Sequence, residues 1–472
     1  MFFELKNIGA IKQAKVKLGK LTVICGPNNT GKTYITYSLY GLLSHLREKP
    51  LSRFLRAASS YFKPIFKSID KDKLYAEFKE KGIIRLDLKE AEKDLNNVVT
   101  LLSQLYTEKL KDIFSANADE LAEAQFKIVG IDDIVFDYSK TFELKTSKYD
   151  AVKEKQSRFL EINLHSTIQN KWLIDFIIDD ALFEFFLFKD FPNPFILTAE
   201  RAGIQLFQKE LESDWGRNAL TTSRPFELKE NVARLALPIA KNIDFVRDSD
   251  VVINSNSFLT KPELTTYIED ILGVQYEIVD GRKVVRDKTT LHALPCYMSS
   301  TSVRALFDLH LWLKHQAQKG DLLFLDEPEL NLHPKNQLKM ARLLVKLINN
   351  GINVFITTHS DYLIKEFNNM LMLANDFPEK AALMNELGYT PDDVLHAEDF
   401  NAYIAHTDGT ISLAEIDKYG IKQSGFDDTI VQINKTSNKL VSAIEVQRIT
   451  RINEFSTTNY ADKRIQYNEL RG

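Results

Sequence analysis

The apolar positions of this chain fall into two dense blocks separated by a long charged stretch. In the first block, "FFELKNI" (2 to 8), "AKVKL" (14 to 18) and "LTVIC" (21 to 25) read as strands. "KTYITYSLYGLLSHL" (32 to 46) then spaces its apolar residues as a helix does. From about 46 to 190 the texture is charged, with apolar residues recurring at three and four and no sustained heptads, which predicts an inserted helical subdomain. Strand-like sequence returns at "PFILTAERAGI" (194 to 204), and a mixed region follows to about 290.

The second block, "GDLLFLDEPELNLHPKNQLKMARLLVKLINNGINVFITTHSDYLI" (320 to 364), reads as buried strand, loop, helix, buried strand and loop. Pro334 suits a first helical position, Leu338, Ala341, Val345 and Ile348 mark an apolar face, and Gly351 suits the C-terminal cap. The pattern shows no internal repeat and no low-complexity tract.

Composition narrows the class. At 472 residues and 44% apolar, the chain can build a large core and two or three domains. Its formal charge of -4 gives no global positive field for nonspecific nucleic-acid binding, although a local basic groove stays open. Cys25 and Cys296 lie far apart and are expected to be reduced thiols of a cytoplasmic protein. The N-terminus lacks the apolar run of a secretory signal. "WLIDFIIDDALFEFFLFK" (172 to 189) carries Asp175, Asp179, Asp180 and Glu184, too many acids for a membrane span, and reads as a buried or amphipathic helix.

Between the strand at 21 to 25 and the helix that follows lies "GPNNTGKT", with the Gly-x-x-x-x-Gly-Lys-Thr spacing of a phosphate-binding loop. Gly26 and Gly31 allow close backbone approach, and Asn28, Asn29 and Thr30 line the loop. Lys32 would neutralise the outer phosphates of ATP, and the Thr33 hydroxyl would hold Mg²⁺.

"LLFLDEP" (322 to 328) ends a buried strand in two acids, where α/β folds place their ligands. Asp326 would complete the magnesium shell, and Glu327 would activate the attacking water. "FIIDD" (176 to 180) also sets two acids after an apolar run, but its helical spacing assigns it to structure. "VFITTHS" (354 to 360) ends a third buried strand in His359, one strand–helix–strand step beyond Glu327 and within reach of the γ-phosphate.

Together these segments resemble the ATP-binding cassette superfamily, in the branch that includes SMC, RecF and OLD-like proteins. "GPNNTGKT" looks like its Walker A, "LLFLDEPE" its Walker B, "LNLHP" its D-loop and "TTHS" its histidine switch. The resemblance covers roughly 1 to 45, 194 to 206 and 290 to 374. It implies an α/β P-loop core with an inserted helical subdomain and a C-terminal α/β extension. The implied divisions are 1–45 and 191–374 for the ATPase core, 46–190 for the insertion and 375–472 for an extension that binds a partner or packs on the core.

It also implies a signature loop that reaches the γ-phosphate of a second subunit, and hence an ATP-dependent homodimer or higher oligomer. "YMSSTSVRALFDLHLWL" (297 to 313) is the candidate, with Ser299 first and Ser300 second; the usual glycines are missing, and an ordinary helix cap fits the same residues. Glu200 and Arg201 in "ILTAERAGI" are similar to a segment of bacterial defence ATPases of this branch, either near the nucleotide or as a surface ion pair. A Q-loop glutamine is not placed; Gln205 and Gln208 are neighbours of that segment.

Three functions remain open. The first is a sensor or regulator resembling the ATPases of Septu- or PARIS-type phage defence, which gates a separate effector nuclease. The second is a RecF-like repair ATPase that clamps DNA, and the third an ATP-bound scaffold with little turnover. Asp427 and Asp428 read as a helix start rather than the metal site of a fused nuclease.

Overall fold

The computed structural model describes residues 2–48, 65–131, 136–165, 170–188, 191–207, 235–249, 257, 262–279, 282–422 and 435–440. Gln208, Asp427 and Asp428 lie outside them. The chain divides into two units, 1–422 and 423–472. Of the second, 435–440 is described and is helical.

β1 (Phe2–Ile8) and β2 (Ile11–Val16) form an antiparallel hairpin, followed by β3 (Leu21–Cys25) and helix α1 (Lys32–Glu48). Every residue of β3 is buried, as a strand covered on both faces requires.

The segment expected to be helical is mixed. It holds β4 (Ile83–Asp87), α2 (Leu95–Phe114), β5 (Gln125–Val129), β6 (Phe142–Lys145), β7 (Tyr149–Lys153), β8 (Phe159–Leu164) and α3 (Lys171–Phe183). Strands β4, β8, β7 and β6 make an antiparallel sheet in that order. The strands were hidden because each is at most six residues long and alternates more and less buried positions within a charged stretch. Nor is the segment separate from the core. β5 pairs with β1, and Tyr106 of α2 donates its hydroxyl to the carbonyl of Ser38 in α1. In α3, Asp179 pairs with Lys71 at 2.7 Å and Asp180 accepts from the Tyr149 hydroxyl at 2.9 Å, so this acid pair is structural.

The core continues with β9 (Pro194–Leu197), α4 (Arg201–Leu206), the antiparallel strands β10 (Val274–Val279), β11 (Arg282–Asp287) and β12 (Ala293–Pro295), and α5 (Thr301–His315). Then come β13 (Leu322–Asp326), α6 (Pro334–Asn349), β14 (Asn353–Thr358) and α7 (Asp361–Met372). Pro334 opens α6. At its other end Gly351, at φ 88°, donates to Ile348 and Ile352 donates to Leu347, the paired bonds of a Schellman motif.

The main sheet ends with β15 (Phe400–Ala405) and β16 (Ile411–Leu413). Its order is β16-β15-β3-β14-β13-β9, parallel except for β16. Along β13, Leu322 and Phe324 join the core shared with α1, while Leu323 and Leu325 point to the other face; all four are buried. Burying each such side chain contributes about 1.5–3 kcal/mol. Within the segment beyond 375, β15 joins the main sheet and pairs with β3, Phe400 opposite Leu21 through Ile404 opposite Cys25. The fold is the expected α/β P-loop class, with the carboxyl ends of β3, β13 and β14 side by side.

Candidate nucleotide-binding site

Three strand ends build the site. β3 delivers residues 26–33, β13 delivers Asp326 and Glu327, and β14 delivers Thr357, Thr358 and His359. Parallel pairing sets Asp326 opposite Thr357 and Thr358 opposite Cys25, so the register alone brings the segments together.

The loop after β3 needs both glycines. Gly26 has φ 145° and Gly31 φ 88°, values that L side chains rarely adopt. A Cβ on Gly26 would stand 2.4 Å from the Ala405 carbonyl oxygen, and one on Gly31 2.4 Å from Ile11 Cδ1. Asn29 takes the left-handed conformation at φ 61°, and Thr30 Oγ1 donates to the Pro27 carbonyl at 2.8 Å. Asn28 lies exposed in the same loop. Lys32 Nζ donates to the carbonyls of Gly26 (3.0 Å) and Pro27 (2.7 Å), which curls the loop around its ammonium. Burial lowers the Lys32 pKa, and the carboxylates of Glu327, Asp326 and Glu329 pull it back up.

Across the site, Thr33 Oγ1 lies 3.3 Å from Asp326 Oδ2. The other Asp326 oxygen accepts from the Thr357 hydroxyl. Burial pushes the Asp326 carboxyl up to about 6, against the Thr357 bond, and the charges of Glu327 and Glu200 add to the rise. A hydroxyl and a carboxylate so placed are hard oxygen donors of the kind Mg²⁺ takes alongside substrate phosphates. Among the described residues no group of three or more His, Cys, Asp or Glu side chains could hold a metal ion.

Glu327 has φ 48°, an uncommon conformation for a residue with a side chain, and its backbone is held from both ends. Its N–H donates to Thr357 O at 3.1 Å, and its carbonyl accepts from Arg201 Nη2 at 2.8 Å. His359 Nε2 stands 3.4 Å from Glu327 Oε1 and 4.0 Å from Glu329 Oε1. Glu329 Oε1 also accepts from Thr358 Oγ1 (2.7 Å) and the His359 N–H (2.9 Å), which sets the backbone that carries the imidazole.

Sequence reasoning passed over Glu329 and Thr357, and it left Arg201 between two roles. Arg201 is fully buried, so it is no surface ion pair. Nη1 donates to the carbonyls of Thr198 (3.0 Å) and Asp326 (2.6 Å). Glu200 is exposed at the start of α4, close enough to raise the Tyr37 and Asp326 pKa values by its charge. The signal for Arg201 was available as an arginine in the first turn after a buried parallel strand. Nothing in the sequence said that it would turn inward.

Ser299 and Ser300 are engaged within their own loop. Ser299 Oγ donates to Cys296 O at 2.6 Å, and Ser300 stands at the N-cap position of α5 without a side-chain capping bond, its hydroxyl 3.0 Å from that of Ser302. Gln205 donates to Asp308 on α5. Cys25 and Cys296 are free and buried, and burial pushes both thiols up to about 12. No described helix is long and apolar enough to cross a membrane.

A family profile described as "AAA domain, putative AbiEii toxin, Type IV TA system" matches residues 21–365, which contain all three strand ends. No curated protein matches the chain. Among solved structures, the SmcHead bound to the C-winged helix domain of ScpA is similar at 10% identity and TM-score 0.31, over 87% of this chain and 96% of that one. The Smc head domain with an extended coiled coil bound to the C-terminal domain of ScpA, derived from Pyrococcus furiosus, gives 12% identity and 0.30, over 92% and 98%. The SMC head domain from Thermotoga maritima gives 10% and 0.29, over 88% and 98%. Likeness at that level carries no argument about function.

Proposed function

Since the chain belongs to this AAA-domain family, whose profile spans its residues 21–365, we propose that it binds and hydrolyses ATP and dimerises around it. The observation that carries this reading is the meeting of Thr33 Oγ1 and Asp326 Oδ2 at 3.3 Å, beside a lysine curled in a glycine loop. Lys32 and the loop N–H groups bind the phosphates. Thr33 and Asp326 would hold Mg²⁺, which would draw negative charge from the transferring phosphoryl group. Glu327 takes the proton of the attacking water, and its constrained backbone sets where the carboxylate points. His359, beside Glu327, reaches toward the γ-phosphate.

Ser299, first, or Ser300 contacts the nucleotide of a second copy, which makes the active form a homodimer or higher oligomer. We assign the nucleotide state a signalling role, in a cytoplasmic sensor that regulates a separate effector nuclease in anti-phage defence. The toxin and type IV toxin–antitoxin wording of the family description supports that assignment, as does the resemblance to defence ATPases. Phosphate release and mass measurement on the protein co-purified with its operon partners test it. Mg²⁺-dependent turnover and an ATP-dependent complex with a nuclease-like protein are expected. A lone ATP-dependent dimer that binds DNA would replace the sensor with a clamp, and ATP binding with negligible turnover would replace the engine with a scaffold.

A further inference from the structure

The six-residue helix α4 packs against α5 and reaches in two directions. From its first residue, Arg201 donates to the carbonyls of Asp326 and Glu327. One turn later Gln205, also buried, donates Nε2 to Asp308 Oδ1. Asp308 lies on the helix that Ser300 opens. Arg304, in the first turn of that helix, donates to the carbonyls of Ser299 and Tyr297 and to the Thr301 hydroxyl, so the serine loop is fastened to the helix and moves with it.

Asp308 is an expensive choice for stability alone. It is fully buried, and its Oδ2 has no protein donor. Lys283 on β11, whose charge acts on Asp308, bonds Gln205 Oε1 at 3.4 Å and Val246 O at 3.3 Å. An apolar pair of similar volume would cost less to bury than a carboxylate satisfied on one side. The polar contact is therefore explained by the geometry it fixes.

We propose that Arg201, Gln205 and Asp308 are positioning residues of one mechanical link, which ties the backbone of Asp326 and Glu327 to the helix presenting Ser299 and Ser300 to a second copy of the chain. Arg201 holds α4 against the turn that carries the two acids. The Gln205–Asp308 bond then sets the angle of α5, and the serine loop at its start follows. Nucleotide at one site and assembly at the other thereby bias each other, as any two linked equilibria must. This rests on the proposed ATP-dependent dimer.

The test uses the full chain carrying Glu327→Gln, to which Gln205→Met, Asp308→Leu and the pair are added, with Asp308→Asn as the variant that keeps an acceptor for Gln205. Self-association with ATP is followed by sedimentation, and nucleotide affinity by titration with a fluorescent ATP analogue and Mg²⁺. Each acceptor- or donor-removing change is expected to weaken self-association by about tenfold and to leave the nucleotide affinity of the monomer, titrated at protein concentrations too low for assembly, within about twofold. The pair should be no worse than either alone, and Asp308→Asn should behave as the parent. Additive losses, a parallel fall in the nucleotide affinity of the monomer, or unchanged self-association overturns the link. A parent that stays monomeric with ATP overturns the dimer itself. Should Asp308→Leu fail to fold, Gln205→Met alone decides between the same outcomes.

Discussion

The hydroxyl of Thr33 and the carboxylate of Asp326, 293 positions apart in the chain, lie 3.3 Å from each other. Beside them Glu327 is held in a left-handed backbone conformation with its carboxylate next to His359. Glu327→Gln removes the proton acceptor and keeps the shape. Phosphate release should fall about a hundredfold or more while ATP stays bound. Lys32→Ala should instead weaken ATP affinity, by roughly tenfold to a hundredfold. Normal turnover by Glu327→Gln would remove Glu327 from its assigned role.

Arg201 makes three hydrogen bonds to backbone carbonyls without meeting solvent. Arg201→Ala leaves those carbonyls buried and unpaired, at a cost of about 3–5 kcal/mol. Urea denaturation measures it; a loss under about 1 kcal/mol would show that water or the backbone replaces the guanidinium without difficulty.

Gly26 stands against the Ala405 carbonyl, at a backbone angle that disfavours any Cβ. Gly26→Ala should abolish ATP binding in a protein that remains folded, because the strain falls on the loop. Calorimetric titration with ATP is the check, and retained affinity would mean that the loop shifts to admit the methyl group.

Burial pushes the Asp308 carboxyl up to about 6, while the opposing charge of Lys283 and the Gln205 bond limit the rise. Between the ordinary carboxylate pKa and about 6 the folded state holds a proton that the unfolded chain has released. Stability from this group is therefore present below the unfolded pKa and lost as pH rises through about 6. Relative to wild type, Asp308→Asn should gain about 2 kcal/mol on going from pH 4 to pH 7.5. A difference in melting behaviour that does not change with pH would show that Asp308 ionises freely.

A chain ending at residue 374 lacks β15, the parallel neighbour of β3. Such a fragment should expose the edge of β3 and its apolar residues, and so aggregate. Soluble, cooperatively unfolding fragment would contradict the sheet order.

The centre of the site was legible because its chemistry is tied to spacing. Glycines and a lysine at fixed intervals after a buried strand can be read without coordinates, and so can "LLFLDEP" and "TTHS". Arg201 and Glu329 were not, because their roles lie in which carbonyls and N–H groups they face, and a linear pattern does not encode that. The sheet at 83–164 escaped for another reason: strands of four to six residues carry a period of two too brief to stand out against helical spacing. β15 was obscured by its distance from the partner it pairs with.

That pairing has a consequence for the making of the protein. The ribosome must reach Phe400–Ala405 before the strand beside the phosphate loop exists, and before Ala405 can form the wall against Gly26. A growing chain thus carries its glycine loop, Asp326 and Glu327 before the loop has its final support. A chain stopped before Phe400 would leave the edge of β3 open and the Gly26 turn without the Ala405 carbonyl against it.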